Sequence, residues 1–270
     1  MQKNVTKNFL YILENGKMNN PQKIIECKNV FKTFSTKNGI TNAVNGVNLS
    51  INKGECYGLV GESGCGKSTL SSLICALQKP DSGEILFEGK PVKDEKIFRR
   101  HCQIIFQDPY SSLNPKKKIK SIIEEPLIIH KIGKTKLERS KMINEMRTLI
   151  GLPPDSLEKF PHQLSGGQRQ RVAIASAMIL NPEFVICDEC VSALDVLIQA
   201  QILNLLKTMQ KSMNLTYLFI SHNLNVVAYM ADRIGVMCKG QIIEEKPTDE
   251  LLSNPEHPYT KTLLQAAGIE

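Results

Sequence analysis

The sequence predicts an α/β protein built on a mostly parallel sheet. Short apolar runs of strand length alternate with longer stretches whose apolar residues recur at helical spacing. One junction between such a run and such a stretch, Gly61-Glu62-Ser63-Gly64-Cys65-Gly66-Lys67-Ser68-Thr69, has the Gly-x4-Gly-Lys-Ser frame that belongs between a buried strand and the helix after it. With 270 residues the chain has room for one large domain or two modest ones. Its 41% hydrophobic and 23% charged content is ordinary for a globular protein.

In chain order, residues 1–22 read as a loose polar extension, in which Met18 is a candidate second start. Ile24–Val30 and Ala43–Ile51 are short β-like runs separated by the turn pair Asn38-Gly39. Cys56–Val60 is apolar throughout, as a strand buried on both faces must be. A helix is expected over Lys67–Leu77. Asp81-Ser82-Gly83 then turns the chain into a strand at Glu84–Phe87, and Ile104-Ile105-Phe106 is a further short buried strand. Pro109, Asn114 and Pro115 mark a loop. From 120 to 160 the chain is rich in Lys and Glu, with Leu137, Met142, Ile143, Met146, Leu149 and Ile150 at helical spacing, which predicts a helical insert. A helix over Val172–Leu180, a strand at Phe184–Cys187, an amphipathic helix at Val196–Met213 and a strand at Thr216–Ser221 complete the reading. There is no internal repeat and no low-complexity tract.

The chemistry concentrates at three places. In Gly61–Thr69 the glycines allow a tight turn whose N–H groups converge on phosphate oxygens, and the helix N-terminus adds partial positive charge. Lys67 is placed to reach the β- and γ-phosphates of ATP and Ser68 to ligate Mg²⁺. Phe184-Val185-Ile186-Cys187-Asp188-Glu189 is an apolar strand ending in two acids. Alone it would read as a strand running into an acidic turn; beside a phosphate loop, Asp188 suits Mg²⁺ through water and Glu189 suits the general base for water attacking the γ-phosphate. Leu164-Ser165-Gly166-Gly167-Gln168-Arg169-Gln170-Arg171 opens a helix and makes a second anion site. One nucleotide does not need two, so the second is expected to serve the γ-phosphate of ATP held by another subunit.

These three motifs, in this order, resemble the ATP-binding-cassette (ABC) family over nearly the whole chain from about Ile24. The resemblance implies a P-loop NTPase nucleotide-binding domain with a RecA-like mixed sheet core, an antiparallel β subdomain and an inserted α-helical subdomain. It implies an N-terminal extension at 1–22 and an ATPase domain at 23–270, with the helical subdomain at about 108–170 and a C-terminal tail at about 247–270. It adds Gln107 as the glutamine that senses Mg²⁺ and the attacking water, Ser192-Ala193-Leu194-Asp195 as the loop crossing a dimer seam, and His222 as the switch histidine on the γ-phosphate. Phe34 looks like the aromatic stacked on adenine, with Phe31 a nearby competitor. ATP sandwiched between two subunits would be attacked by water, with Glu189 as base and Lys67, His222 and Mg²⁺ stabilising charge.

Phe106-Gln107-Asp108-Pro109-Tyr110-Ser111-Ser112-Leu113-Asn114-Pro115 and the tail Asn254-Pro255-Glu256-His257-Pro258-Tyr259-Thr260 resemble the oligopeptide, dipeptide and nickel importer ATPases, in particular their short-tailed second subunit. Cys190 stands where that subgroup more often has Pro or Ala. The resemblance implies ATP-driven uptake of peptides, or alternatively of nickel or a metal chelate. Its partners are a second ATPase subunit (or a homodimer in isolation), two membrane permeases contacted through Pro109, Tyr110 and Leu113, and an extracytoplasmic binding protein acting indirectly. The expected location is the cytoplasmic face of the membrane.

The net charge of +7 is scattered, and its one short run, Lys116-Lys117-Lys118, reads as a solvated loop; with no Trp and no interleaved aromatics, nucleic acid is not an expected partner. Among the eight cysteines, Cys187 and Cys190 lack a second pair at zinc spacing, and nothing cysteine-rich follows Cys238, so no metal or iron–sulfur cluster is expected. Cys65 is expected to be a thiol-sensitive point beside the nucleotide. A chromosome-remodelling cassette would need a long coiled coil between Lys67 and Ser165, where no heptad is sustained. A ribosome-acting cassette protein would carry two cassettes, and a switch GTPase would need Asn-Lys-x-Asp, which Asn52-Lys53-Gly54-Glu55 misses at its last position.

Overall fold

A computed structural model describes residues 22–36 and 39–269. Strands and helices alternate through most of the chain, and the strands form two sheets. The first is four-stranded, in the order β2-β1-β4-β5. It pairs β1 (Lys23–Thr36), β2 (Gly39–Asn52), β4 (Ser82–Phe87) and β5 (Lys90–Pro91), antiparallel throughout. The second is six-stranded, in the order β10-β9-β3-β8-β7-β6. It comprises β3 (Cys56–Val60), β6 (Cys102–Ile105), β7 (Phe184–Asp188), β8 (Thr216–Ile220), β9 (Arg233–Cys238) and β10 (Gln241–Pro247). All its pairs are parallel except β10 with β9.

The helices are α1 (Lys67–Ile74), α2 (Glu95–His101), α3 (Pro109–Ser112), α4 (Ile119–Ile129), α5 (Lys136–Leu149) and α6 (Gly166–Met178). They are followed by α7 (Val196–Met213), α8 (Leu224–Met230), α9 (Thr248–Ser253) and α10 (Pro258–Ala266). The central strands are buried on both faces, and their side chains alternate between two cores. Tyr57, Leu59, Phe184, Ile186, Leu218 and Ile220 point into the core shared with α1 and the antiparallel sheet. Cys56, Val60, Val185, Cys187, Tyr217 and Phe219 point into the core shared with α4 to α10. This two-sided burial is why the strands read as unbroken apolar runs.

Several expectations shift. The helix after the phosphate loop ends at Ile74, short of Leu77, because Ala76 turns into the left-handed region at φ 54°. β1 and β2 extend beyond their apolar runs, since their polar halves still pair, as in Phe34 with Thr41 and Ser35 with Ile40. The helical insert is present, with Ile143, Met146 and Ile150 buried, but Leu137 is 81% exposed and Leu149 also faces solvent. β5, β9, β10, α2, α8, α9 and α10 are additional to the elements read from sequence, and α3 stands at the start of the expected loop. Of the N-terminal extension, residues 1–21 lie outside the described residues, as do Lys37 and Asn38 of the expected turn.

Candidate active site

The parallel register decides where the chemistry gathers. Leu59 and Asp188 both lie beside Ile220, and Ile105 lies beside Cys187. The residues that follow, Gly61, Glu189, His222 and Gln107, therefore leave the sheet along one edge, at the carboxyl ends of four adjacent strands. That edge is where α/β sheets bind ligands.

The phosphate loop closes onto α1 through Gly66, whose φ of 113° is in the glycine region and whose added Cβ would lie 2.0 Å from the Ala43 carbonyl oxygen. Gly66 supplies no side chain to cap the helix, so the first-turn amides keep their donor capacity for an anion. Lys67 is buried, and its Nζ donates to the carbonyl oxygens of Gly61 (2.7 Å) and Glu62 (2.8 Å). The Glu62 amide donates to the Tyr259 hydroxyl at 3.1 Å.

Asp188 sits behind the loop. Its carboxylate accepts from Ser71 Oγ at 3.0 Å and lies 3.4 Å from Ser68 Oγ. Burial pushes the Asp188 carboxyl up, and the two serine hydroxyls partly offset this. The donors here are hard oxygens, which fits Mg²⁺. Among the described residues there is no group of three or more His, Cys, Asp and Glu arranged to hold a metal, so a cation here would draw its remaining oxygens from phosphates and water.

Glu189 is the meeting point. Gln107 Nε2 donates to its Oε2 at 3.1 Å, and His222 Nδ1 is 3.3 Å from the same oxygen. Its backbone is left-handed at φ 50°, a conformation that costs an L-residue about 1–2 kcal/mol. Three contacts hold it there: its amide donates to Ile220 O at 2.9 Å, and its carbonyl accepts from Ser192 N at 3.1 Å and Ser192 Oγ at 3.0 Å. Ser192 Oγ also accepts from Gln107 Nε2 at 3.3 Å.

The other expected residues lie as follows. Ser165 caps α6 in a capping box, its Oγ accepting from Gln168 N (3.3 Å) and its amide donating to Gln168 Oε1 (3.1 Å). Asp195 caps α7 by accepting from Ile198 N at 3.0 Å, and the next two residues, Val196 and Leu197, are 83% and 70% exposed. Phe34 is 38% exposed with Lys32 Nζ 5.8 Å from its ring centroid, whereas Phe31 is half-buried. Tyr110 is exposed, under the guanidinium of Arg169 at 5.6 Å. Leu113 is buried, so it is not a surface contact for a permease; the side chain of Pro109 lies outside the description.

Cys65 also differs from expectation: its thiol is buried under the loop, 3.7 Å from Lys67 Nζ, and burial pushes it up despite that cation. Three contributors were missed. Ser71 follows Ser68 by one helical turn, which was a readable signal. Ser192 lay inside a quoted motif, and Tyr259 gave no sequence signal of its contact with Glu62.

The family model described as ABC transporter matches residues 44–192. The chain belongs to the ABC transporter family. It is 50% identical over 254 residues to the oligopeptide transport ATP-binding protein OppF of Bacillus subtilis, an alignment covering 92% of this chain and 83% of that protein. It is 47% identical over 257 residues to the dipeptide transport ATP-binding protein DppF of Lactococcus lactis, covering 92% and 82%. Among solved structures it is similar to a component of an ABC transporter complex from Clostridium perfringens, with TM-score 0.77, 27% identity and coverage of 92% and 96%. It is also similar to a dimeric ATP-binding cassette in a post-hydrolysis state with ADP and Pi, with TM-score 0.73, 33% identity and coverage of 83% and 98%. This member is thus an ATP-hydrolysing cassette. No helix among its described residues is long and apolar enough to cross a membrane.

Proposed function

We propose that this cassette hydrolyses ATP to drive uptake of oligopeptides or dipeptides, as one ATPase subunit of a membrane importer. The observation that carries hydrolysis is the Glu189 carboxylate, gripped by Gln107 and faced by His222 at the sheet edge where the phosphate loop emerges. The peptide cargo is supported by relatives named for oligopeptide and dipeptide transport at 46–50% identity. Nickel or a metal chelate is the alternative cargo of the subgroup that the sequence resembles.

In this reading Gly61–Thr69 and Lys67 cradle the triphosphate, and Phe34 stacks on adenine. A Mg²⁺ ion held by Ser68 and, through water, Asp188, with Gln107 beside it, supplies charge neutralisation at the phosphate oxygens. Glu189 takes the proton from the attacking water, and His222 stabilises charge on the γ-phosphate. Ser165, Gly166, Gly167, Gln168 and Asp195 serve the ATP of a second cassette, which is a related subunit in the importer or another copy of this chain in isolation. The working unit is residues 23–270, with a helical subdomain near 108–170 that docks on two permeases and a tail near 247–270. It would sit on the cytoplasmic face of the membrane, receiving cargo indirectly from an extracytoplasmic binding protein and needing no nucleic acid.

Reconstitution with its permeases and binding protein in liposomes tests this. Oligopeptide or dipeptide should stimulate ATP hydrolysis, and Glu189→Gln should abolish turnover while retaining ATP and trapping the dimer. Stimulation by nickel or a chelate alone would move the cargo to the alternative, and wild-type turnover in the variant would remove Glu189 from its role.

A further inference from the structure

We propose that Tyr259 is a positioning residue for the phosphate loop, held against it by the Asn254–Thr260 segment acting as a brace from β10. This role rests on the reading of that loop as the ATP-phosphate site. From sequence, the segment carries only a resemblance to the importer subgroup of cassettes. Its hydrogen bonds point further.

Glu244 of β10 is buried, and its two carboxylate oxygens accept from consecutive backbone amides, Glu256 N at 2.8 Å and His257 N at 3.0 Å. One ionised carboxylate on two neighbouring N–H groups is a strong, directional grip. Burial opposes ionisation of Glu244, yet the Thr260 hydroxyl, these two amides and the Lys246 charge together outweigh it and keep its carboxyl below the ordinary range. Lys246, one position on along the same face of β10, donates to the Asn254 carbonyl (2.9 Å) and to Glu256 Oε1 (2.7 Å). His257 Nδ1 then accepts from Tyr259 N at 3.1 Å and caps α10, while Thr260 and Leu264 bury the helix against the core. The path of the chain on both sides of Tyr259 is thereby set.

The hydroxyl so placed accepts the Glu62 amide at 3.1 Å. The carbonyl of the same residue accepts Lys67 Nζ at 2.8 Å. Glu62 is therefore held at both its N–H and its C=O, one end by the last helix of the chain and the other by the lysine of the loop. It is also the acceptor for Cys65 N at 3.3 Å, which closes the turn. Fixing Glu62 fixes where the loop departs from β3, and hence where its later amides point. Burial pushes the Tyr259 phenol up, which keeps it protonated at neutral pH.

Tyr259→Phe keeps the ring and its packing and deletes only the hydroxyl. In the full chain with Mg²⁺, ATP should bind the variant about two- to tenfold more weakly, the range expected for one hydrogen bond. The loss should appear in KM rather than kcat, with the thermal midpoint lowered by no more than the few degrees that one hydrogen bond commands. Glu244→Gln weakens the grip on the brace at a distance from the loop and should raise KM in the same direction. The double variant should be no worse than the more affected single, because the two act through one chain of contacts. A wild-type Kd and KM in Tyr259→Phe would overturn the role, as would a loss confined to kcat or one that comes with a thermal midpoint lowered beyond those few degrees. If wild-type protein itself fails to bind ATP, the nucleotide reading falls first and this role with it.

Discussion

Thiol chemistry at the phosphate loop turns on a few ångströms of burial. Cys65 lies beneath the loop with burial raising its thiol pKa, and Cys27 is pushed up to about 12 by the same cause. Thiolate is the reactive species, so both should be inert in the folded protein. Of the eight cysteines only Cys238 is more than marginally accessible. Brief treatment of native protein with N-ethylmaleimide should label Cys238 first, by peptide mass mapping, and leave Cys65 unlabelled with or without ATP. Labelling of Cys65 as fast as Cys238 would restore it as a thiol-sensitive point. The position of Cys65 within its motif was legible from sequence, and the direction of its side chain was not, because that depends on the fold around Lys67. Asp188 and Glu189 were legible for the opposite reason: an apolar run ending in two acids carries its own explanation. Ser71 was readable from its place one helical turn after Ser68, although its partner Asp188 was not, whereas Tyr259 acts through a tertiary neighbour, Glu62, that no local pattern announces.

Elements were legible in proportion to how far both of their faces are buried. β3, β7 and β8 are unbroken apolar runs, whereas β10 is a polar edge strand that does not stand out from loop; β9 is the exception, because its residues 234–237 are apolar and buried and its signal was present in the sequence. The signature helix shows how a motif residue can serve packing. A Cβ on Gly167 would lie 2.6 Å from Ile198 Cγ2, while one on Gly166 would meet nothing closer than Leu194 Cδ2 at 3.8 Å. Gly167 is thus what lets α6 approach α7. Gly167→Ala should destabilise the chain by about 1–3 kcal/mol through overpacking, seen as a lower denaturant midpoint. Ile198→Ala in the same chain should recover part of that loss. Equal stability of Gly167→Ala and wild type would show that α7 yields freely, and would leave phosphate contact as the reason for this glycine.

At the scale of the molecule, the chain presents two glycine-rich helix starts, at Lys67 and at Gly166, but one acid pair at the sheet edge beside a phosphate loop, Asp188 and Glu189. The side chains of Ser165 and Gln168 each accept from the other residue's backbone amide within their own cap, so nothing in them reaches the Glu189 cluster of the same chain. A composite site, with loop and acids from one subunit and signature from the next, accounts for both facts, and it has a consequence that a self-contained site does not share. Take Glu189→Gln, which disables the acid half, and Ser165→Arg, which places bulk and charge in the signature half. In a mixed pair with Glu189→Gln on one copy and Ser165→Arg on the other, both defects fall in the same composite site, and the second site is built wholly from unaltered halves. With both substitutions on one copy and a wild-type partner, each of the two sites contains one defect. Differently tagged copies, purified as mixed pairs and assayed for phosphate release, should therefore retain activity in the split arrangement and lose it in the joined one. Self-contained sites predict the reverse, since the wild-type copy of the joined pair would then keep its whole machinery.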